Sequence, residues 1–474
     1  MISIKDKYKF LFYLYDFDDE PLGILYLSSI LKKFNFDVDI VLTKYEDYKK
    51  ITREYAPDFA AFTVTTGYDI YYLELIKELK KIKEDIITIL GGPHCTFFPE
   101  IIEEENIDII CRGEGELALI KFCENLKNKN DIYQTPNFYF KKNNEIIKND
   151  ITSLVSNLDE LPQPDRKLLT KYKFYRLANK KDFITGRGCP FNCSYCFNHA
   201  FNKMYRGKGK IIRKHSVDYV IEQIKELQKY SNIKFIQFVD DIFIIDKEWL
   251  EEFAEKYPAK IGIPYNCNVR VDYIDDYKIS LLKKSNCHSI SMGIEAGDEE
   301  VRNKILKRNL KDKEIIEASK IIKSYKIKLA TQNIVGIPGG SLEKDIKTMR
   351  LNAICKTDYA WCTIYQPYPG VELTELAIKL NLFDGDRRFI SRSFHEDTIL
   401  NIADKLETIN LHKLFGIGAE FIFLENLIRF LIKLPLTKIY SLLRKVWNLY
   451  CYKFRINKNI SIREIYWKSI KKEL

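Results

Sequence analysis

A chain of 474 residues, 46% of them hydrophobic, is long enough for two to four domains of about 100–200 residues each. Its 30 Tyr and 29 Phe, without an excess of Gly or Pro, exclude disorder, and charges interrupt every run long enough to span a membrane as a helix. The net charge of +10 is concentrated at one end: residues 421–474 hold 12 Lys/Arg against 3 Asp/Glu, so the rest is nearly neutral. The start, Met1-Ile2-Ser3-Ile4-Lys5-Asp6-Lys7, lacks the order of charges and apolar residues of an export signal, and a cytoplasmic location is expected. Eleven cysteines, an odd number in a large chain, then read as metal ligands where clustered and as small core residues where scattered.

Residues 9–125 alternate β-rich runs with amphipathic helical stretches. The runs are Phe10–Tyr15, Val38–Leu42, Phe59–Thr65, Ile86–Leu90 and Ile107–Cys111; Leu22–Phe34 and Tyr71–Ile82 are two of the helical stretches. This alternation predicts a parallel, doubly wound sheet over residues 1–134, with ligands beyond the carboxyl ends of its strands. Gly91-Gly92-Pro93-His94 and Arg112-Gly113-Glu114-Gly115-Glu116 fall at such ends.

Residues 135–170 read as a connector. Phe138–Phe140 and Ile146–Ile147 flank Asn143-Asn144 as in a hairpin, and Leu161-Pro162-Gln163-Pro164-Asp165-Arg166 forbids a regular helix.

A second alternation, within residues 171–390, places strands at Phe183–Thr185, Phe235–Val239, Tyr265–Val269, Ser289–Ile294, Thr331–Val335 and Trp361–Ile364. Six βα units predict a closed or partial barrel with its chemistry at the carboxyl ends of the strands. Cys189, Asp240-Asp241, Arg270, Glu295, Gly336–Gly340 and Tyr365–Gly370 stand there. Residues 391–474 read as a helical, apolar and basic region.

Gly186-Arg187-Gly188-Cys189-Pro190-Phe191-Asn192-Cys193-Ser194-Tyr195-Cys196-Phe197 packs three cysteines into eight positions. Thiolates so close on a loop leaving a strand can converge on one metal centre, and three ligands to a four-iron cluster leave one iron open. The alternative is a zinc site completed by His199.

Cys-x-x-x-Cys-x-x-Cys with an aromatic residue before the last cysteine resembles the signature of the radical SAM superfamily. The wider pattern resembles its cobalamin-binding branch over residues 20–370. Pro21-Leu22-Gly23, Tyr26-Leu27, Gly91–His94 and Arg112–Glu116 resemble the branch's cobalamin domain, and Leu161–Arg166 its linker. Asp240-Asp241, Asn268–Asp272, Gly293–Gly297, Gly336–Gly339 and Tyr365–Gly370 resemble the strand ends of its barrel.

The resemblance implies an α/β enzyme with an amino-terminal Rossmann-like cobalamin-binding domain, a partial (β/α)6 TIM-type barrel and a helical carboxyl-terminal region. Cys189, Cys193 and Cys196 would hold a [4Fe–4S] cluster whose open iron chelates S-adenosylmethionine; reduction would cleave it to methionine and a 5′-deoxyadenosyl radical. Tyr195, Asp240, Asp241, Arg270, Glu295, Gly336 and Pro338 would serve the S-adenosylmethionine site, and Gly91, Gly92 and His94 the cobalamin tail.

Each contact has a plainer alternative. Asp240 or Asp241 would cap a helix starting near Asp246, Arg270 and Glu295 would form an ordinary buried ion pair, and Gly336–Gly339 would be a strand-to-helix turn. The branch's cobalt-ligating Asp-x-His-x-x-Gly loop is absent, which implies cobalamin bound without a protein nitrogen on cobalt. No catalytic residue beyond the cluster is assigned.

The implied reaction is methyl transfer to an unactivated carbon, with a cyclase or other rearrangement as the alternative. Cys95, Cys111 and Cys123 invite a rival: a methylthiotransferase with a second cluster, acting on RNA. A non-enzymatic sensor is a further option.

Expected partners are an external electron donor of flavodoxin or ferredoxin type and a small-molecule or lipid substrate, with nucleic acid not expected. In the tail, Phe415, Phe421, Leu424, Ile428 and Leu431 form one apolar stripe. A helix from Leu436 to about Tyr452 joins Lys438, Arg444 and Lys445 to Trp447, Tyr450 and Tyr452. It reads either as packed on the barrel with its basic residues solvated or as a peripheral contact at the inner membrane surface.

Overall fold

The computed structural model describes residues 5, 7–17, 19–143, 145–368, 370–386, 390, 395–457 and 459. The described residues divide into two compact units: those through Leu177 together with Phe201–Arg213, and Ala178–Ala200 together with those from Lys214 to Asn459.

The first unit holds a seven-stranded sheet. Its strands are β1 (Lys9–Leu14), β2 (Asp37–Leu42), β3 (Phe59–Thr63), β4 (Ile87–Gly91), β5 (Ile109–Cys111), β6 (Phe138–Lys142) and β7 (Glu145–Lys148), in the order β2-β1-β3-β4-β5-β6-β7. The first five are parallel. Alternation along β1 explains the layers. Phe10, Phe12 and Leu14 enter one core with Ile24, Leu25 and Phe122, while Leu11 and Tyr13 enter the other with Leu75 and Ile76.

The hairpin read as a connector is instead part of this sheet. β6 runs antiparallel to β5 and β7 to β6, with Lys142 opposite Glu145. Without it β5 would be an exposed edge; Phe138 and Phe140 bury themselves on the first core. Asn143 takes φ +50°, as a two-residue hairpin turn requires, and Asn144 lies outside the described residues.

The proline segment is strapped to the helix Leu22–Lys33. Asp165 accepts from Ser28 Oγ at 2.7 Å and Lys32 Nζ at 2.6 Å, and Gln163 O accepts from Ser29 Oγ at 2.5 Å. Arg166 is buried against Glu20, whose carboxylate also accepts from Tyr175 OH at 3.1 Å.

In the second unit, β8 (Lys180–Phe183) precedes two two-residue stretches, β9 (Gly186–Arg187) and β10 (Arg213–Lys214), the latter at the unit boundary. Then come β11 (Phe235–Phe238), β12 (Tyr265–Val269), β13 (Cys287–Glu295), β14 (Lys328–Val335) and β15 (Tyr359–Ile364). The six long strands form one parallel sheet, β15-β14-β13-β12-β11-β8, which is a half-barrel. One face packs under helices through Ile236, Phe238, Ile290 and Leu250. Between the strands Gln237, Asn266 and Ser289 form a hydrogen-bonded chain at 2.7 and 2.8 Å.

The tail completes this unit. Helix Lys405–Glu420 lies on β15, and His412 Nε2 and Arg444 Nη2 meet the edge-strand carbonyl of Cys362 at 3.1 and 3.3 Å. Arg444, expected in solvent, is thus drawn inward to serve an unpaired edge. It also donates to His395 O at 2.8 Å, where Lys413 donates at 2.5 Å. Burial first, and then these neighbouring cations, pull Lys413 down to about 8 and His395 to about 4. The segment Tyr452–Ile456 crosses the amino ends of the strands: His288 Nε2 meets Arg455 O at 3.2 Å and Ser289 Oγ donates to Ile456 O at 2.8 Å. Among the described residues no helix is long and apolar enough to cross a membrane. The outermost parts of the tail reading, 391–394 and 460–474, lie outside the described residues.

Candidate active site

The cysteine loop leaves β8 and is fixed at its root. Thr185 donates from N and Oγ1 to the two Asp240 oxygens at 3.0 and 2.6 Å, and Lys214 Nζ donates to Thr185 Oγ1 at 2.9 Å. Asp240 is therefore buried and engaged in holding the loop, with Lys214 as its ion partner at 3.6 Å. Asp241 accepts from Asn198 Nδ2 at 2.9 Å just beyond Cys196. Asp241 keeps an exposed surface, yet the protein packed around its carboxyl raises its pKa, with Asp240 adding to the rise. Neither is the cap of the next helix: Asp246 takes that role, accepting from Trp249 N at 3.0 Å.

Within the loop, Cys196 N donates to Cys193 O at 3.1 Å, closing a turn, and Gly188 takes φ +96°. Ser194 anchors the turn through Oγ to Ile305 O at 2.6 Å. Cys193 is buried, and Cys189 and Cys196 are half-buried. Burial and then neighbouring charges, the other loop thiols among them, raise the thiol of Cys189 and push Cys196 up to about 12.

Among the described residues no three His, Cys, Asp or Glu side chains converge closely enough for one ion. A tetrahedral zinc at about 2.3 Å from each sulfur would need sulfurs about 4 Å apart. Three cysteines on one loop are a donor set that suits a [4Fe–4S] cluster with one iron left open. His199 Nδ1 lies 2.9 Å from Asn192 Oδ1 of the same loop.

Arg270 and Glu295 do not pair with each other, as the plain reading had it. Arg270 reaches the cysteine loop: Nη1 donates to Cys193 Sγ at 3.4 Å, Nε to Asp272 at 3.0 Å and Nη2 to Arg308 O at 2.5 Å, with the guanidinium 3.6 Å over the Phe191 ring. Glu295 pairs with Arg308 at 3.4 Å instead. Arg308 also donates to Tyr195 OH and Gly293 O, both at 2.7 Å.

Burial raises the Glu295 pKa despite this partner. Glu295 sits at φ +64°, a conformation costing a non-glycine residue on the order of 1–3 kcal/mol, where the strand register also shifts. Sequence reading missed Arg308, Thr185 and Lys214; Thr185 and Lys214 at least stand beside strands, whereas Arg308 lies in the long connection between β13 and β14 with no local signal.

Gly336 and Gly339 take φ +72° and +78°. A Cβ on Gly336 would meet Thr408 at 3.3 Å, its N–H is held by Asp345 at 3.0 Å, and Pro338 is buried. The turn itself demands these glycines. Pro369, in the last matching segment, lies outside the described residues.

In the first unit, the strand order reverses between β1 and β3, so a crevice is expected at their carboxyl ends. Gly67, φ +94°, stands there and was not singled out in the sequence. A Cβ on Gly91 would meet only Cys111 at 3.9 Å, leaving room for a ligand. Gly92 differs: its Cβ would come within 2.8 Å of Thr63 and 2.9 Å of the Val64 backbone, so close packing of β3 and β4 requires it. His94 is buried, with Nδ1 3.0 Å from Thr66 Oγ1 and its ring 5.2 Å from Phe98. Cys95 and Cys123 belong to cores on opposite faces of the sheet, so they cannot share a second cluster with Cys111.

Two family models match in the order the folds require: a B12 binding domain over residues 9–122 and the Radical SAM superfamily over 183–351. An uncharacterized methyltransferase of Pyrococcus horikoshii is 31% identical over 76% of this chain and 79% of its own. An anaerobic magnesium-protoporphyrin IX monomethyl ester cyclase of Cereibacter sphaeroides is 26% identical over 77% of this chain and 61% of its own. The radical S-adenosylmethionine methyltransferase TsrM from Kitasatospora setae, solved with cobalamin and a [4Fe–4S] cluster, shares the fold. Its TM-score is 0.63 at 14% identity, covering 79% of this chain and 75% of that one.

The chain belongs to the radical SAM superfamily, in the branch with an amino-terminal cobalamin-binding domain. It is a radical SAM enzyme whose cofactors are a [4Fe–4S] cluster, S-adenosylmethionine and cobalamin.

Proposed function

We propose that this enzyme transfers a methyl group to an unactivated carbon of a small-molecule or lipid substrate. The carrying observation is the loop of Cys189, Cys193 and Cys196, backed by Arg270, in a chain that also carries a B12 binding domain. When bound, the cluster and S-adenosylmethionine supply a carbon-centred radical, and cobalamin supplies a carrier for the methyl group.

The chain's own residues bind, orient and shield. Asp240 and Lys214 fix Thr185, and with it the loop's origin. Arg308 ties Tyr195 between the cysteines to the end of β13. Arg270 places a positive charge on the Cys193 sulfur, easing addition of an electron. Asp241, with its exposed face, is the carboxylate placed to accept from a ligand ammonium, while Glu295 is the buried acceptor at the mouth. Gly91 leaves room for the cobalamin tail, and an external protein of flavodoxin or ferredoxin type supplies electrons.

Anaerobic turnover with S-adenosylmethionine, reductant and cobalamin tests the reading. Methyl transfer consumes one S-adenosylmethionine as methyl donor and another as radical source, so S-adenosylhomocysteine and 5′-deoxyadenosine should form together. Likeness to the magnesium-protoporphyrin ester cyclase supports a second reading, cyclisation, in which 5′-deoxyadenosine forms alone.

A further inference from the structure

Twelve large apolar side chains stand exposed between residues 421 and 454. On helix Thr437–Cys451 they form one stripe. Tyr440, Arg444 and Cys451 turn inward, and Ile439, Leu442, Val446 and Leu449 turn outward, exposed by 53, 62, 59 and 42%. That is the reverse of an ordinary surface helix, which buries its apolar stripe. Phe423 and Phe430, 79 and 61% exposed, extend the apolar surface on the preceding turn and helix.

An aromatic chain joins the two parts. Phe423 lies 6.1 Å from Phe421, Phe421 is 5.9 Å from Trp447, and Tyr450 stands 5.8 Å from Trp447 and 5.6 Å from Phe454. Trp447 itself lies against Gly416, where a Cβ would come within 2.9 Å of its ring, and Tyr452 OH turns to Lys180. The aromatic residues available outside are therefore Phe423, Phe430, Tyr450 and Phe454.

Charge selects the occupant. Residues 421–459 hold eight Lys/Arg and one acid, Glu425, which Arg350 and Arg429 already occupy. Lys433, Lys438 and Lys445 have no ion pair among the described residues, and Lys453 lies over Phe454 at 4.8 Å. A second copy on a two-fold axis would set these lysines against their own images. Residues 460–474, with Arg463, Lys468, Lys471 and Lys472 against Glu464 and Glu473, are basic as well. An apolar face rimmed by cations fits a bilayer surface with anionic headgroups.

We propose that the outward face of Thr437–Cys451, with Phe423 and Phe430, docks the enzyme on an anionic membrane surface. The inference stands apart from the reaction, since it rests on the surface alone.

Flotation of the full-length, cluster-loaded protein tests it, with vesicles of phosphatidylcholine alone or mixed with phosphatidylglycerol. Binding should require phosphatidylglycerol and weaken with salt. Lys438→Glu with Lys445→Glu should weaken it by at least about tenfold. Leu442→Glu with Val446→Glu should abolish it. All four side chains are exposed, so cleavage of S-adenosylmethionine should persist and report an intact fold.

No flotation with either vesicle, or equal flotation with both, overturns the proposal. So does a dimer that Leu442→Glu with Val446→Glu dissolves, which gives the face to a second copy. Binding seen only after truncation beyond Asn459 would also overturn it, because the chain's own end would then cover the face.

Discussion

The guanidinium of Arg270 stands 3.4 Å from the Sγ of Cys193, held there by Asp272, by the carbonyl of Arg308 and by the Phe191 ring. Three supports around one cation leave it little freedom, so its charge is a fixed part of the cysteine loop's surroundings. Hydrogen bonds and charge at the sulfurs set the potential of such a cluster.

Arg270→Gln should therefore still assemble the cluster but make it harder to reduce. The expected shift is about 60 mV to the negative, the one-electron equivalent of a tenfold change. Potentiometric titration followed by electron paramagnetic resonance measures it. An unchanged potential at full iron content would show that the contact does no electronic work.

Arg308 is a different kind of residue. It is buried, and it serves Glu295, Gly293 O and Tyr195 OH at once. Arg308→Met leaves Glu295 buried without its cation, which costs about 3–5 kcal/mol. Tyr195→Phe removes one bond to a charged donor, worth about 1.5–3 kcal/mol. Chemical denaturation should rank the two in that order; the reverse order would contradict the assignment of Arg308 as the centre of the network.

Much of this was legible in the sequence, and the failures have physical causes. The cysteine loop is local, so spacing alone exposed it. β12 was found whole because Tyr265–Val269 is compact and strand-forming. β8 was placed too late because it begins Lys180-Lys181-Asp182, charges that the fold buries as a pair at 3.0 Å. Arg308 was invisible because its bond to Tyr195 spans 113 positions. Gly92 read as a ligand-facing residue because a glycine looks the same whether a ligand or a neighbouring strand needs the space.

Asp345 gives a pH dependence. Burial raises it from 3.8 to about 7, against the opposing bond from Gly336 N. An acid whose folded pKa is raised binds its proton more tightly in the folded state. Its stabilising contribution is then full below 3.8 and is lost as pH rises to about 7. Asp345→Asn should remove that loss, so the stability difference between variant and native protein should swing toward the variant between pH 4 and pH 8. The full swing is on the order of 4 kcal/mol. Parallel stability curves for the two proteins would contradict the raised pKa.

His94 bears on cobalamin. It is buried on Thr66, so cobalt is expected to take no nitrogen from it. His94→Gln, which keeps a partner for Thr66, should retain corrinoid with an unchanged absorption spectrum. A spectral change confined to the cobalt-ligand bands would make His94 a ligand.

The central claim is that Cys189, Cys193 and Cys196 hold a site-differentiated cluster. Iron and sulfide analysis of the anaerobically reconstituted protein, combined with electron paramagnetic resonance with and without S-adenosylmethionine, tests it most directly. The account predicts one [4Fe–4S] centre per chain whose reduced signal changes when S-adenosylmethionine is added, and loss of both centre and signal in Cys193→Ala. A chain that takes up zinc but no iron, or a cluster whose signal ignores S-adenosylmethionine, would contradict it.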